Sequence, residues 1–257
     1  MLGSIALCAM PSPPTPDTTP EELSDQIQRE AIRFAVAEDQ EQVDKLLNVV
    51  QLQGEKNLIQ TIIYDDRRGL DQQAHALTQA FDDIVQQGLQ RLQQEPNLQN
   101  ELLNRPSIHD IAALLHSSGT PGVPKGIPLK HGHILYGVRN AANAGYFTEG
   151  EVHMAYLPIA WVGDFIFSIG AALALRFTVN IPERQETSQH DLREIAPTRY
   201  FCSPRAWSNM LTRIQVGIDE SSPFKQKIYH HFMDFALQLE RNRLNGKPPS
   251  LGQKLWY

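Results

Sequence analysis

A compact apolar run, Ile111 to Leu115, leads into Ser117-Ser118-Gly119-Thr120-Pro121-Gly122-Val123-Pro124-Lys125-Gly126. This pairing constrains the fold more than any other stretch. The apolar run predicts a strand, and Gly132 to Ala144 predicts a helix beyond the loop. A strand, a glycine-rich loop and a helix in that order bring backbone N–H groups and a helix N-terminus to an anion. Glycine lets the backbone approach closely, while hydroxyls and a lysine donate to phosphate oxygens. The order is not that of a Walker A loop, in which lysine follows a glycine and precedes Ser or Thr. Here Pro124 precedes Lys125 and Gly126 follows it. A glycine- and proline-rich turn with no ligand is the other reading of such a stretch.

The remaining pattern alternates between strand and helix, which predicts an α/β fold. Pro11 to Pro20 is a proline-rich connection. Thr19-Pro20-Glu21-Glu22 then starts a helix, with Thr19 as cap, Pro20 in the first turn and Glu22 completing a capping box. That helix is predicted to run to about Glu30. Ile32 to Ala37 and Leu58 to Tyr64 read as strands, with a helix over about Gln40 to Val50 between them. In the glutamine-rich segment Asp71 to Gln94, Leu77, Phe81, Ile84, Val85, Leu89 and Leu92 form one apolar stripe. Pro96 to Pro106 reads as a linker. Met154 to Leu157, Phe177 to Ile181 and Tyr200 to Ser203 read as further strands. Phe165 to Leu175 reads as an apolar helix and Phe224 to Leu244 as an amphipathic one.

Composition narrows the function. The net charge is −6 and the signs are interspersed, so no basic stripe exists to hold nucleic acid. Cys8 and Cys202 lie far apart, which leaves a disulfide framework or zinc site without support and fits a reducing compartment. His131, His153 and His190 show no ligand spacing. Met1 to Met10 is apolar but lacks a basic leader, so it reads as ordinary core helix rather than a signal peptide. Phe165 to Leu175 is well short of the ~20 residues that cross a bilayer. A cytoplasmic location is expected, and peripheral membrane contact stays open.

Ser117 to Gly126 resembles the Tyr/Phe-Thr-Ser-Gly-Thr-Thr-Gly-x-Pro-Lys-Gly signature of the AMP-dependent synthetase/ligase superfamily, the adenylate-forming enzymes. Leu157-Pro158-Ile159-Ala160-Trp161-Val162-Gly163-Asp164 is similar to the next motif of that superfamily. Phe177 to Glu183, Pro197-Thr198 and Ser203-Pro204-Arg205-Ala206-Trp207 resemble later segments. Ala37 to Gln40 and Ile62 to Asp66 resemble the long-chain acyl-CoA synthetase subgroup. The resemblance implies an α/β fold, a β-sheet flanked by helices, forming part of the large N-terminal adenylation domain over residues 1–257. It also implies fatty acid, ATP and coenzyme A as substrates. Carboxylate and ATP give an acyl-adenylate and pyrophosphate, and the thiol of coenzyme A then forms the thioester. Ser117, Ser118, Gly119, Thr120, Gly122 and Lys125 are the implied phosphate-binding residues, with the Ser117 hydroxyl near Mg2+. Trp161 matches a gate to the fatty-acid tunnel, although a buried core indole explains it equally well.

Departures from the family pattern temper this. Pro121 stands where the family has Thr, which removes a hydroxyl and a backbone N–H. His116 replaces an aromatic residue, and Asp164 replaces Glu. Tyr146-Phe147-Thr148-Glu149 imitates the family's Tyr-Gly-x-Thr-Glu motif, but without the glycine and out of order. The expectation is a domain truncated at both ends, with the C-terminal lid domain absent, no catalytic residue in this chain and no ligase activity alone. A non-catalytic nucleotide- or partner-binding remnant and an adenylating enzyme with another acceptor remain alternatives. A complementing half and a homodimer stay open as partners.

Overall fold

In a computed structural model, which describes residues 1–70, 75–117, 125–182, 184 and 186–247, the chain opens with one helical turn, α1 (Leu2–Ala6). No residue of α1 is buried, so the expected core helix is not formed there. Its Ile5 packs, partly buried, against an apolar cluster that includes Leu115. The capping residues then act as read. Helix α2 (Pro20–Glu30) starts on a complete capping box between Thr19 and Glu22, and Ala31 ends it in the left-handed conformation.

Strand β1 (Phe34–Ala37), helix α3 (Gln40–Gln53) and strand β2 (Thr61–Tyr64) form a β-α-β unit. Asp39 caps α3 by accepting from the Gln42 N–H at 3.0 Å. Strand β3 (Thr78–Ala80) joins β2, giving a parallel sheet in the order β1-β2-β3. Its register pairs Ala37 with Tyr64 and Tyr64 with Ala80. The apolar stripe of the glutamine-rich segment therefore begins one element later than expected. The Leu77 carbonyl accepts the Ile62 N–H at 2.7 Å, which commits Leu77 to the sheet, and helix α4 (Phe81–Gln94) carries the rest. Leu23, Ile27, Val43, Leu46, Val49 and Ile62 fill the core beneath this sheet. Pro96 to Pro106 is no plain linker, because helix α5 (Leu98–Leu103) forms within it and buries Leu98.

Strand β4 (Ile111–Ser117) and strand β5 (Lys125–Lys130) pair antiparallel, and helix α6 (His131–Asn143) follows at once. The glycine-rich loop thus joins two strands and does not open directly into a helix. Gly170 lies in a π-helical turn (Phe165–Ala171) between α7 (Val162–Asp164) and α8 (Ala172–Leu175). A side chain at Gly170 would meet Ile134 Cγ2 at 2.6 Å, so glycine lets the turn press against α6. The predicted helix over Phe165 to Leu175 is therefore an interrupted one. Strand β6 (Val152–Met154) pairs in parallel with β7 (Thr178–Asn180), two residues ahead of the expected start at Met154. Helix α9 (Ser188–Ile195) completes the unit Met1–Arg199.

A second unit spans Tyr200–Tyr257. Tyr200 to Ser203 is not a strand. Ser203 caps helix α10 (Pro204–Asp219), its hydroxyl accepting the Ala206 N–H at 3.3 Å, with Pro204 in the first turn. Helix α11 (Pro223–Leu244) follows. Ile218, Ile228, Tyr229 and Phe232 line an open apolar groove in this unit. Among the described residues, no helix is long and apolar enough to cross a membrane.

Candidate functional site

Antiparallel pairing brings the two ends of the glycine-rich loop together. Ser117 is opposite Lys125, and His116 is opposite Gly126. Directly opposed residues lie about 4.5–5.5 Å apart. Ser117 and Lys125, eight positions apart in sequence, therefore share one end of the hairpin. Gly126 has a steric reason to be glycine, since an added Cβ would stand 3.0 Å from Leu114 Cδ1. Ser118, Gly119, Thr120, Pro121 and Gly122 lie outside the described residues.

The residue before Ser117 is held by a polar network that sequence reading missed. His116 Nε2 lies 2.6 Å from Glu30 Oε1. The two side chains are 16% and 10% exposed, so water screens the pair little. Ser12 Oγ donates to Glu30 Oε2 at 2.6 Å, and Gln26 Nε2 donates to Ser12 Oγ at 2.9 Å. The Leu114 N–H donates to the Pro11 carbonyl at 2.9 Å, laying the proline-rich connection beside β4. The departure from an aromatic at 116 thus comes with a partner 86 residues away.

The second motif packs on the same body. Phe165, fully buried, and Ile159 join Leu115, Leu129 and Ile134 in one cluster. Trp161 is 50% exposed, so its indole is not a core residue. Asp164 is buried and accepts from Ser168 Oγ at 3.1 Å. Buried His153 stacks on Phe167, with ring centroids 5.6 Å apart. Its Nε2 is 3.9 Å from Asp164 Oδ1, beyond hydrogen-bond range, and among the described residues neither ring nitrogen has a hydrogen-bond partner.

Tyr146 to Glu149, the imitation motif, has structural work. Phe147 packs edge-on against Phe167 and Phe177. The Thr148 N–H donates to Glu151 Oε1 at 2.9 Å. Arg199 donates to both oxygens of Glu151, through Nε to Oε2 and through Nη2 to Oε1 at 2.9 Å. This fork holds the Glu151 carboxyl below the usual glutamate range and raises the guanidinium's own value. The Thr198 hydroxyl accepts the Val152 N–H at 2.8 Å, so Pro197-Thr198-Arg199 fastens β6 from the side.

His190 needs a correction. Its ring, Asp191 and Glu194 bring ligand atoms within 4.8 Å of one another on α9, a set that sequence spacing did not suggest. His190 and Glu194 are largely exposed, at 80% and 75%, and such surface groups gather without any metal.

The AMP-binding enzyme family model matches residues 1–240. The peroxisomal long chain acyl-CoA synthetase 7 of Arabidopsis thaliana is 25% identical over 149 residues, covering 56% of this chain and 20% of that protein. The long-chain-fatty-acid–CoA ligase heimdall of Drosophila melanogaster is 25% identical over 180 residues, covering 65% of this chain and 26% of that protein. The chain therefore spans about a fifth to a quarter of the length of these relatives. A solved Rhodopseudomonas palustris CGA009 structure, assigned as a long-chain-fatty-acid CoA ligase, superposes with a TM-score of 0.59 at 15% identity. That match covers 88% of this chain and 50% of the other, and it speaks to the fold.

Proposed function

The chain belongs to the AMP-binding enzyme family, and from that premise we propose that it is part of the adenylation domain of a long-chain fatty acid–CoA ligase. Residues 1–257 are assigned to that one domain. One observation carries the site assignment: Ser117 and Lys125 face each other across β4 and β5 and bracket the glycine-rich loop. MgATP is the substrate. Lys125 neutralises its β- and γ-phosphates, and Ser118, Gly119, Thr120 and Gly122 donate to them. The Ser117 hydroxyl serves the magnesium carried by the nucleotide. Holding the phosphates leaves the α-phosphorus open to a fatty carboxylate, so catalysis here is positioning and charge neutralisation. The half-exposed indole of Trp161 suits a gate on the acyl path.

In this reading the chain alone binds MgATP without completing acyl-CoA synthesis, because the matched stretch covers only a fifth to a quarter of the acyl-CoA synthetase and ligase relatives. Titration calorimetry tests it. The parent chain is expected to bind MgATP, and Lys125→Ala to weaken binding by about 10–100-fold, the loss of one charged contact. Equal affinities would remove Lys125 from the site. ATP–pyrophosphate exchange with a long-chain fatty acid is expected to be absent. Measurable exchange by the purified chain would overturn the claim that it only binds.

A further inference from the structure

We propose that Glu30 and His116 form a positioning latch, which ties the end of helix α2 to the end of strand β4 and so sets Ser117 and Lys125. The phosphate-binding consequence rests on the reading given above, whereas the latch itself does not. Four observations converge on it. The His116–Glu30 contact is short, at 2.6 Å, and both side chains are largely buried. The second carboxylate oxygen is held by Ser12, which is itself held by Gln26, a side chain only 6% exposed. The Pro11 carbonyl takes the Leu114 N–H, so the segment bearing Ser12 lies along β4. Finally, His116 is covalently next to Ser117 and sits opposite Gly126, the neighbour of Lys125.

The chemistry requires this to be more than filling. A buried carboxylate must have partners, and removing one leaves a costly orphan. A two-stranded ribbon is marginally stable on its own, so the strand ends that carry Ser117 and Lys125 can fray unless neighbours hold them. An imidazole N–H donating to a carboxylate anchored on α2 resists that fraying at one of the two strand ends that frame the loop. Neither group touches the substrate in this scheme. They are positioning residues, acting through the backbone of Ser117 and Lys125.

Hydrogen exchange and MgATP titration together test the proposal, using the full chain as parent, Glu30→Leu, His116→Phe and His116→Gln. In the ligand-free protein, peptides covering residues 114–117 and 125–127 are expected to exchange about tenfold faster in Glu30→Leu, which has no acceptor, and in His116→Phe, while peptides from β2 stay unchanged. His116→Gln keeps an N–H near the Nε2 position and is expected to restore most of the protection. Unchanged exchange at the strand ends, or a rise shared by β2, would overturn the latch. So would a His116→Gln variant no better than His116→Phe. With MgATP, Glu30→Leu and His116→Phe are expected to weaken binding about tenfold, and His116→Gln less than threefold. A parent that does not bind MgATP defeats the phosphate assignment, and the exchange data still decide the latch.

Discussion

The sheet β1-β2-β3 and the two ribbons β4-β5 and β6-β7 are held in different ways. Beneath the first, Leu23, Ile27, Val43, Leu46, Val49 and Ile62 form one apolar core, with Ile62 and Val43 wholly buried. The ribbons have two strands each and smaller clusters beneath them. Each ribbon carries a polar clamp near its end, Glu30–His116 on one and Glu151–Arg199 on the other. Apolar burial is non-directional and fixes that surfaces meet. Buried hydrogen-bonded pairs that include a carboxylate add little net stability but fix geometry through their direction and, at Arg199, through a fork. The glycine-rich loop springs from a clamped ribbon.

The comparison makes graded predictions. Ile62→Ala removes a fully buried side chain from the apolar core and is expected to cost about 2–5 kcal/mol. Urea unfolding measures it, and a loss below ~1 kcal/mol would mean that the first sheet does not rest on this core. Glu151→Gln breaks the clamp on β6-β7, and the expected loss at neutral pH is smaller, about 1–2 kcal/mol, since Arg199 retains solvent contact. The folded carboxyl titrates below its unfolded value. Its contribution is therefore present above the ordinary glutamate range and vanishes as pH falls through the lower folded value. Parent and Glu151→Gln stabilities are expected to converge in acid. A gap that stays constant with pH would separate the clamp from charge. Thr19→Ala acts on the first sheet's helix α2 through its capping box alone and is expected to cost about 1 kcal/mol, read as a small drop in melting temperature.

The sequence made legible what is decided locally. Thr19, Pro20 and Glu22 announce α2 because a cap satisfies N–H groups within three residues. Ser203-Pro204 carries the same kind of signal for α10, although a strand was expected to end there. Strand β5 was hidden. Its residues are mostly exposed, Pro128 within it argues against a strand, and it exists through pairing with β4. Leu77 was drawn into a helical stripe because nothing in its neighbourhood reveals that its carbonyl meets Ile62. The motif makes Ser117 and Lys125 candidates, and the fold shows that they stand opposite each other. Glu30 had no sequence signal, since its partner lies on another element. The reading of Trp161 needed the fold too, because only exposure separates a core indole from one that is open.

The latch also has a consequence for the order of assembly. Ser117 and Lys125 are separated by eight positions, whereas Glu30 and His116 are separated by 86. Closing the longer loop costs about 2 kcal/mol more chain entropy. The hairpin can therefore close by itself, while the latch gains its return only once α2 and β4 already share a body. The two side chains that frame the loop become neighbours early, and their final alignment waits on a carboxylate made near the beginning of the chain.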